Sequence, residues 1–438
     1  MRGRFLAPVV VPVALVAGCG SPEPARPAEG GLMMAAGVSR VTPAAGTDVG
    51  PLVAGMTAFG HDLLGAMGED AEGNVVISPL SIAYAFGMAE AGARAETRKQ
   101  IDDVFGWGKG GPHEQINALT QRIGATDAPP PRTTVKKTAD PGDPEAHQPP
   151  TVAIANGLFV QKDYPLKQAF LQILAAQYGT GARTVDFAQA PQKAADIING
   201  WADRQTAGRI TKVVDATDFD EMTRLALTNA VYLKADWAVG FDHESTKEEP
   251  FHLGTRDVSV PMMHQDSELR YAAGPGWRAV ELPYAHSDLA MWVMVPGGDT
   301  TPFDLLAPDA LSAVGSSLRP ATVNLALPRW DVGRSAATDL IPPLRKLGMV
   351  APFEDTLAHF EGISGEHLLI AKAVHKANIT VDEDGTEAAA VTAIVMEATS
   401  ARARSVTVRA DRPFAFAIVH KPTGAPLFIG QVADPAQH

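Results

Sequence analysis

Cysteine is almost absent from this chain: Cys19 is the only one in 438 residues. No intrachain disulfide can form, so the fold must stand on its core alone. Clustered basic residues are also missing. Asp and Glu outnumber Lys and Arg by 50 to 37, giving a net charge of −13, and no basic run with interleaved aromatics occurs. Phosphate binding needs such clusters, so a nucleic-acid partner is excluded, and the acidity keeps a soluble protein dispersed. Signatures of chemistry are missing as well. His243, His252 and His264 stand apart with no His-Glu-x-x-His pattern and no cysteine partners, so no metal or other cofactor is expected. There is no Gly-x-Ser-x-Gly elbow. Lys421-Pro-Thr-Gly424 has no Ser-x-x-Lys to serve it. Nothing supports an enzyme.

The N-terminus is organised for export. Arg2 and Arg4 precede an apolar stretch, Phe5 to Val16, broken by Pro8 and Pro12. It is too short to span a bilayer, which takes about 20 residues, but it fits a signal peptide over residues 1–18. Val16-Ala17-Gly18-Cys19 resembles a bacterial lipobox, which makes Cys19 the expected lipidation site. The protein is then exported and lipid-anchored at the cell envelope or cell surface. With an ordinary signal peptide it is secreted or periplasmic instead. Residues 19–47 are rich in Pro, Gly and Ala without a period and read as a flexible tether, with order beginning near Asp48.

From there to residue 438 the pattern is one α+β domain. Leu52, Met56, Phe59, Leu63, Leu64 and Met67 recur at helical spacing, with Pro51 in the first turn and Gly68 at the end. Ser78-Pro79 opens a second helix. Leu166, Phe170, Ile173, Leu174 and Tyr178 make another, stopped by Gly179. Short β-prone runs follow at Val152 to Val160, Leu225 to Leu233, Leu289 to Val295, Val323 to Leu327, Val406 to Val408 and Phe414 to Val419. Helices cluster early and strands late, unlike alternating βαβ units. Residues 127–150, rich in proline and charge, read as a surface insertion.

Residues 383–399 carry the functional signal. Glu383, Asp384, Gly385, Thr386 and Glu387 lead into Ala388, Ala389 and Ala390, then into Val391, Thr392, Ile394 and Val395. Alanines favour a helix and the β-branched residues a strand, so the segment suits two conformations. Its even positions from Thr386 to Ala398 carry no charge, and both Glu387 and Glu397 are odd. Alternate residues of a strand face opposite sides, so this segment can enter a sheet with its even face buried. Gly385 gives it a pivot.

Several segments together resemble the serpin family. They are Asn74 to Ile82 with Gly92, Ala93 and Thr97; Asn229 to Trp237 with Phe241 and Thr246; Val374 to Ala377; Glu383 to Ala390; Arg412-Pro413-Phe414; and Pro426 to Gly430. They cover the chain from about residue 52 to Pro435, in family order. The resemblance implies three β-sheets, eight or nine helices and an exposed reactive-centre loop, here within residues 383–408. It implies a monomeric suicide substrate: a serine protease cleaves the loop, the loop inserts into the central sheet, and the acyl-enzyme is trapped. The hinge falls on Glu383, Gly385, Thr386, Glu387, Ala388, Ala389 and Ala390. The polar cluster over which the sheet opens falls on Ser78, Ser81, Asn229 and His375, and Trp237 lies where the loop enters. Counting along the loop puts the bait bond at Thr399-Ser400, which suits elastase-like or subtilisin-like enzymes. Arg402 and Arg404 are alternatives that suit trypsin-like ones. Cysteine proteases also pass through an acyl-enzyme, so that class stays open. The alternative is a non-inhibitory family member acting as a binding or chaperone-like protein; such members carry charged or bulky residues on the inserting face.

Overall fold

The computed structural model describes residues 31–68, 73–125, 150–332, 337–386 and 405–437. Among them are eight α-helices. The first four are α1 (Gly50–Met67), α2 (Pro79–Glu90), α3 (Ala95–Phe105) and α4 (His113–Ile123). Then come α5 (Gln168–Ile173), extended by a π-helical turn to Tyr178, α6 (Pro191–Gln205), α7 (Pro308–Ser317) and α8 (Ile341–Lys346). None is long and apolar enough to cross a membrane. The starts and stops follow the local chemistry. Pro51 sits in the first turn of α1 and Gly68 caps it. Ser78 caps α2 through its side chain, which accepts from Ser81 N–H at 3.2 Å. Gly179, at φ +67°, ends the π-helical turn.

The strands are β1 (Leu32–Met33), β2 (Val75–Ile77), β3 (Thr151–Gln161), β4 (Ala182–Val185), β5 (Leu225–Asp236) and β6 (Lys247–His252). They continue with β7 (Asp257–Gly274), β8 (Trp277–Pro283), β9 (Leu289–Pro296), β10 (Arg319–Pro328), β11 (Trp330–Val332) and β12 (Thr338–Asp339). The last six are β13 (Lys372–Ala377), β14 (Ile379–Val381), β15 (Gly385–Thr386), β16 (Val406–Arg409), β17 (Phe414–His420) and β18 (Ala425–Val432). Hydrogen bonding groups them into two nine-stranded networks. The first is β1-β4-β3-β5-β15-β14-β11, with β13 paired to β5 and β12 to β13. The second is two sheets joined along β7, whose first part pairs with β6 and β10 and whose last part pairs with β8. Three sheets are thereby accounted for.

β5 is the axis of the molecule, and its burial explains its composition. Leu225, Leu227, Val231, Leu233 and Ala235 face the larger core, which includes Leu80 and Ile82 of α2. Ala226 and Ala230 face a smaller core under Ala194, Ile198 and Trp201 of α6. A strand buried on both faces reads as a continuous apolar run, which is how Leu225 to Leu233 reads in the sequence.

One boundary differs from expectation. Residues 31–47 do not form a free tether. β1 adds to the sheet edge, with Leu32 opposite Arg183 and Met33 opposite Ala182. Val41 N–H donates to Ala176 O at 2.8 Å, and Asn117 Nδ2 donates to Val41 O at 2.9 Å. Arg40 Nε donates to Asn117 Oδ1 at 2.9 Å. A Cβ at Gly181 would stand 2.0 Å from Met33 O, so the strap and its glycine fit closely. Order begins by Gly31, not near Asp48. The expected signal peptide, Cys19 and nearly all of the 127–150 insertion lie outside the described residues.

Candidate functional site

The polar residues expected beneath the central sheet meet there. Asn229 stands in β5 directly opposite Asn156 of antiparallel β3 and His375 of parallel β13, so the three form one rung across three strands. Ser78 and Ser81 rise from the first turn of α2 below. All five are buried, none more than 3% exposed. Asn229 Nδ2 donates to Ser81 Oγ and to Asn156 Oδ1. Ser81 Oγ donates to Asn156 Oδ1 at 3.4 Å. Ser78 N–H donates to His375 Nε2 at 3.1 Å. That bond makes Nε2 the acceptor, so the proton sits on Nδ1 and faces Asn229 Oδ1. Burial pushes the His375 pKa down to about 3, so the ring is neutral. Asn156 was not foreseen. Its signal was present, a lone amide in the apolar run Val152 to Val160.

A second group forms at the hinge. Trp237 is buried, stacks on Tyr284 with ring centroids 4.7 Å apart, and donates from Nε1 to Asp382 O at 3.0 Å. Glu383 and Asp384 are also buried. The Glu383 carboxylate accepts from Arg329 Nε at 2.8 Å and from Thr246 Oγ1 at 2.5 Å. Burial alone would raise its pKa, but these bonds prevail and hold the carboxyl below its ordinary range. Asp382 is pushed the other way, up to about 6, by burial first and then by the neighbouring Asp384 and Glu383. Its Oδ1 accepts the N–H groups of Asp384 and Gly385 at 3.0 and 3.1 Å, which fixes the turn into β15.

β15 lies between β5 and β14. Gly385 pairs with Asp236 and Thr386 with Ala235, while Thr386 also pairs with Val381 on the other side. A Cβ on Gly385 would stand 2.2 Å from Ala235 O, so the approach admits only glycine. Thr386 is fully buried and shares a 2.7 Å hydrogen bond with Tyr284 Oη. Below β15 the two flanking strands close: β13 pairs with β5 in parallel from Lys372 opposite Ala226 to Ala377 opposite Val231. The sheet therefore has a short wedge at its top and a closed parallel seam beneath it, with Asn229 and His375 on that seam.

The remaining predicted site residues, Glu387, Ala388, Ala389, Ala390, Thr399, Ser400, Arg402 and Arg404, lie outside the described residues. Among the described residues no three His, Cys, Asp or Glu side chains gather as a metal cluster. His243, His252 and His264 each face a carboxylate of their own, Asp384 at 3.2 Å, Asp257 at 2.8 Å and Glu249 at 2.7 Å.

The site thus combines a central sheet, a buried polar rung on the seam between β5 and β13, and a glycine hinge that enters the sheet above that seam. The sequence profile of the family described as Serpin (serine protease inhibitor) matches residues 54–435, and the chain belongs to that family. It is 34% identical over 390 residues to an uncharacterised serpin-like protein of Thermococcus kodakarensis, covering 88% of this chain and 86% of that one. It is 32% identical over 398 residues to the leukocyte elastase inhibitor of Bos taurus, covering 88% and 99%. The crystal structure of native protease nexin-1 with heparin superposes with a TM-score of 0.71 at 29% identity, over 88% of this chain and all of that one.

Proposed function

We propose that this protein inhibits serine proteases as a suicide substrate: the loop after Thr386 is cleaved, and its N-terminal arm enters the seam between β5 and β13. The observation that carries this reading is the register of β15. Thr386 opposite Ala235 sets an antiparallel alignment with β5. Continued, it brings Ala388 opposite Leu233, Ala390 opposite Val231, Thr392 opposite Asn229, Ile394 opposite Leu227 and Met396 opposite Leu225, where β5 begins. Each even residue then joins the large core, and each is small or uncharged. Glu387 would lie opposite Lys234 on the other face. Thr392 would arrive between Asn229 and His375, where its hydroxyl can bond both groups as they part.

Energy favours this entry. The seam that opens is parallel, a slightly weaker pairing, and two antiparallel pairings replace it. About a dozen new rungs at roughly 0.5–1.5 kcal/mol each, with burial of Ile394 and Met396 at about 2 kcal/mol each, release on the order of 10–20 kcal/mol. That is comparable to the stability of a whole domain, and it is available to distort an attached enzyme. The uncharged inserting face of the hinge, Thr386, Ala388 and Ala390, disfavours the non-inhibitory alternative.

The same register bears on the bait. Filling β5 uses the loop as far as Met396, so Thr399 emerges immediately beyond the far end of the strand. A bond at Arg402 or Arg404 would leave a longer, slacker tether. Thr399-Ser400 is therefore the proposed bond, with an elastase-like or subtilisin-like target. Lipidation at Cys19 would hold the inhibitor at the cell envelope. Incubation with a panel of elastase-like, subtilisin-like and trypsin-like proteases, followed by mass spectrometry of the released C-terminal peptide, tests bond and class together. A peptide beginning at Ser400 is expected. One beginning at Ala403 or Ser405 overturns the assignment.

A further inference from the structure

Lys372 sits on the first rung of the closed seam, opposite Ala226, at the end farthest from the hinge. Its Nζ lies 3.0 Å from Asp218 Oδ1 and 3.0 Å from Asp339 Oδ2, and its side chain is only 16% exposed. The two carboxylates belong to opposite sides of the seam. Asp339 is in β12, which pairs with β13 through Thr338 opposite His375 and Asp339 opposite Val374. It therefore travels with Lys372. Asp218 ends the one-turn 3-10 helix Ala216–Asp218 on the approach to β5. That approach is pinned to α6, where Asn199 Oδ1 accepts the N–H groups of Val213 and Val214 at 2.8 and 3.1 Å and Asn199 Nδ2 donates to Val214 O at 2.9 Å. The helix α6 packs in turn on β3, β4 and β5. Asp218 is itself oriented, since its Oδ2 accepts Asp215 N–H at 2.8 Å.

A strand entering between β5 and β13 doubles their separation from about 4.8 Å. Lys372 can then keep Asp339 but not Asp218. We infer that the Lys372–Asp218 pair is a clasp across the far end of the seam, and that its release controls the last stage of strand insertion. This inference rests on the insertion reading above. Lys372 acts as a positioning residue by holding β13 against β5. A register continued from Thr386 brings Val395 opposite Ala226, so the final rungs of the incoming strand require this level to part.

The test uses the full chain and a synthetic peptide of residues 386–398. The wild type is compared with Asp218→Asn, which keeps an acceptor for Asp215 N–H, with Lys372→Met, and with Asp339→Asn as the same-side control. The rate of peptide uptake is followed by native electrophoresis. Asp218→Asn and Lys372→Met are expected to take up peptide about fivefold faster, and Asp339→Asn at the wild-type rate. The gap between wild type and Asp218→Asn should narrow in 1 M salt, because the pair is partly exposed and open to screening. Equal rates in wild type and Asp218→Asn, or equal acceleration by Asp339→Asn, overturn the clasp while leaving insertion intact. No uptake by any form, together with no covalent protease complex, overturns insertion itself and the clasp with it.

Discussion

The ring of His375 can stay where it is only while neutral. Its Nε2 accepts Ser78 N–H, and a proton there would set two donors against each other. With a pKa of about 3 in the fold against an ordinary value near 6.5, the unfolded chain binds the proton first. Stability contributed by the neutral ring is therefore complete above about pH 6.5 and is lost as pH falls toward 3, at up to about 1.4 kcal/mol per unit. Two buried carboxyls act in the opposite sense. Asp102 is raised to about 6 by burial and then by Glu90, and Asp382 is raised to about 6 by burial and then by its acidic neighbours. Each favours the fold at low pH and ceases to do so as pH rises through 6. The readout is consequently a difference: between pH 7 and 4 the melting temperature of the wild type should fall more steeply than that of His375→Asn. Parallel curves would show that the ring does not titrate on unfolding. His375, Ser78, Ser81 and Asn229 were legible because they stand in motifs with company. Asn156 was harder to read because its partners lie 73 and 75 residues away and only strand register brings them together.

Among the elements, β15 makes the sharpest demand on sequence. Thr386 is held between strands on both sides, and its side chain fills a space with no solvent, against Tyr284 Oη and opposite Ala235. Thr386→Arg would have to bury a guanidinium in that space. The prediction is that the protease still cleaves the loop at an unchanged rate while the complex stable to boiling in detergent disappears. Persistence of that complex in the mutant would sink the insertion reading. The parity of residues 386–398 made this legible, because a period of two is visible without any knowledge of the partner strand. The strap over residues 31–47 shows the opposite case. Its Ala, Pro and Gly give no period, and what orders it is borrowed: the edge of β4, the amide of Asn117 and the carbonyl of Ala176. The break between β13 and β14 is likewise invisible in the motif Val374 to Ala377. It occurs at Asn378, whose Nδ2 donates to Asp331 Oδ1 at 3.0 Å and Val332 O at 3.2 Å, drawing the upper strand toward β11 and away from β5.

For the molecule as a whole, the arrangement is one of deferred pairing. β5 is paired along its full length with β3, but on its other side it meets β13 only from Ala226 to Val231 and β15 only at Ala235 and Asp236. The β13 ladder ends at Val231 and the β15 ladder begins at Ala235, so the two strands meet β5 at separate levels. Upward, Trp237 stacked on Tyr284 and the Glu383–Arg329 pair fix the hinge turn in place. Downward, the buried rung and the parallel seam resist opening, since breaking Asn229 from His375 leaves both polar groups unsatisfied until a new one arrives. On the proposed mechanism, the intact molecule is held short of its best pairing by a barrier rather than by equilibrium. On that mechanism, cutting the loop would remove the covalent restraint at one end and let the arm run down the seam. If the release is on the order of 10–20 kcal/mol, the cleaved molecule should melt higher by on the order of 20 °C. Calorimetry of intact protein and of protein cut at a single bond within residues 397–405 measures this directly, with mass spectrometry confirming that both fragments remain associated. Coincident melting would mean that no conformational energy was stored, and the separate levels at which β13 and β15 meet β5 would then be a static feature of the fold.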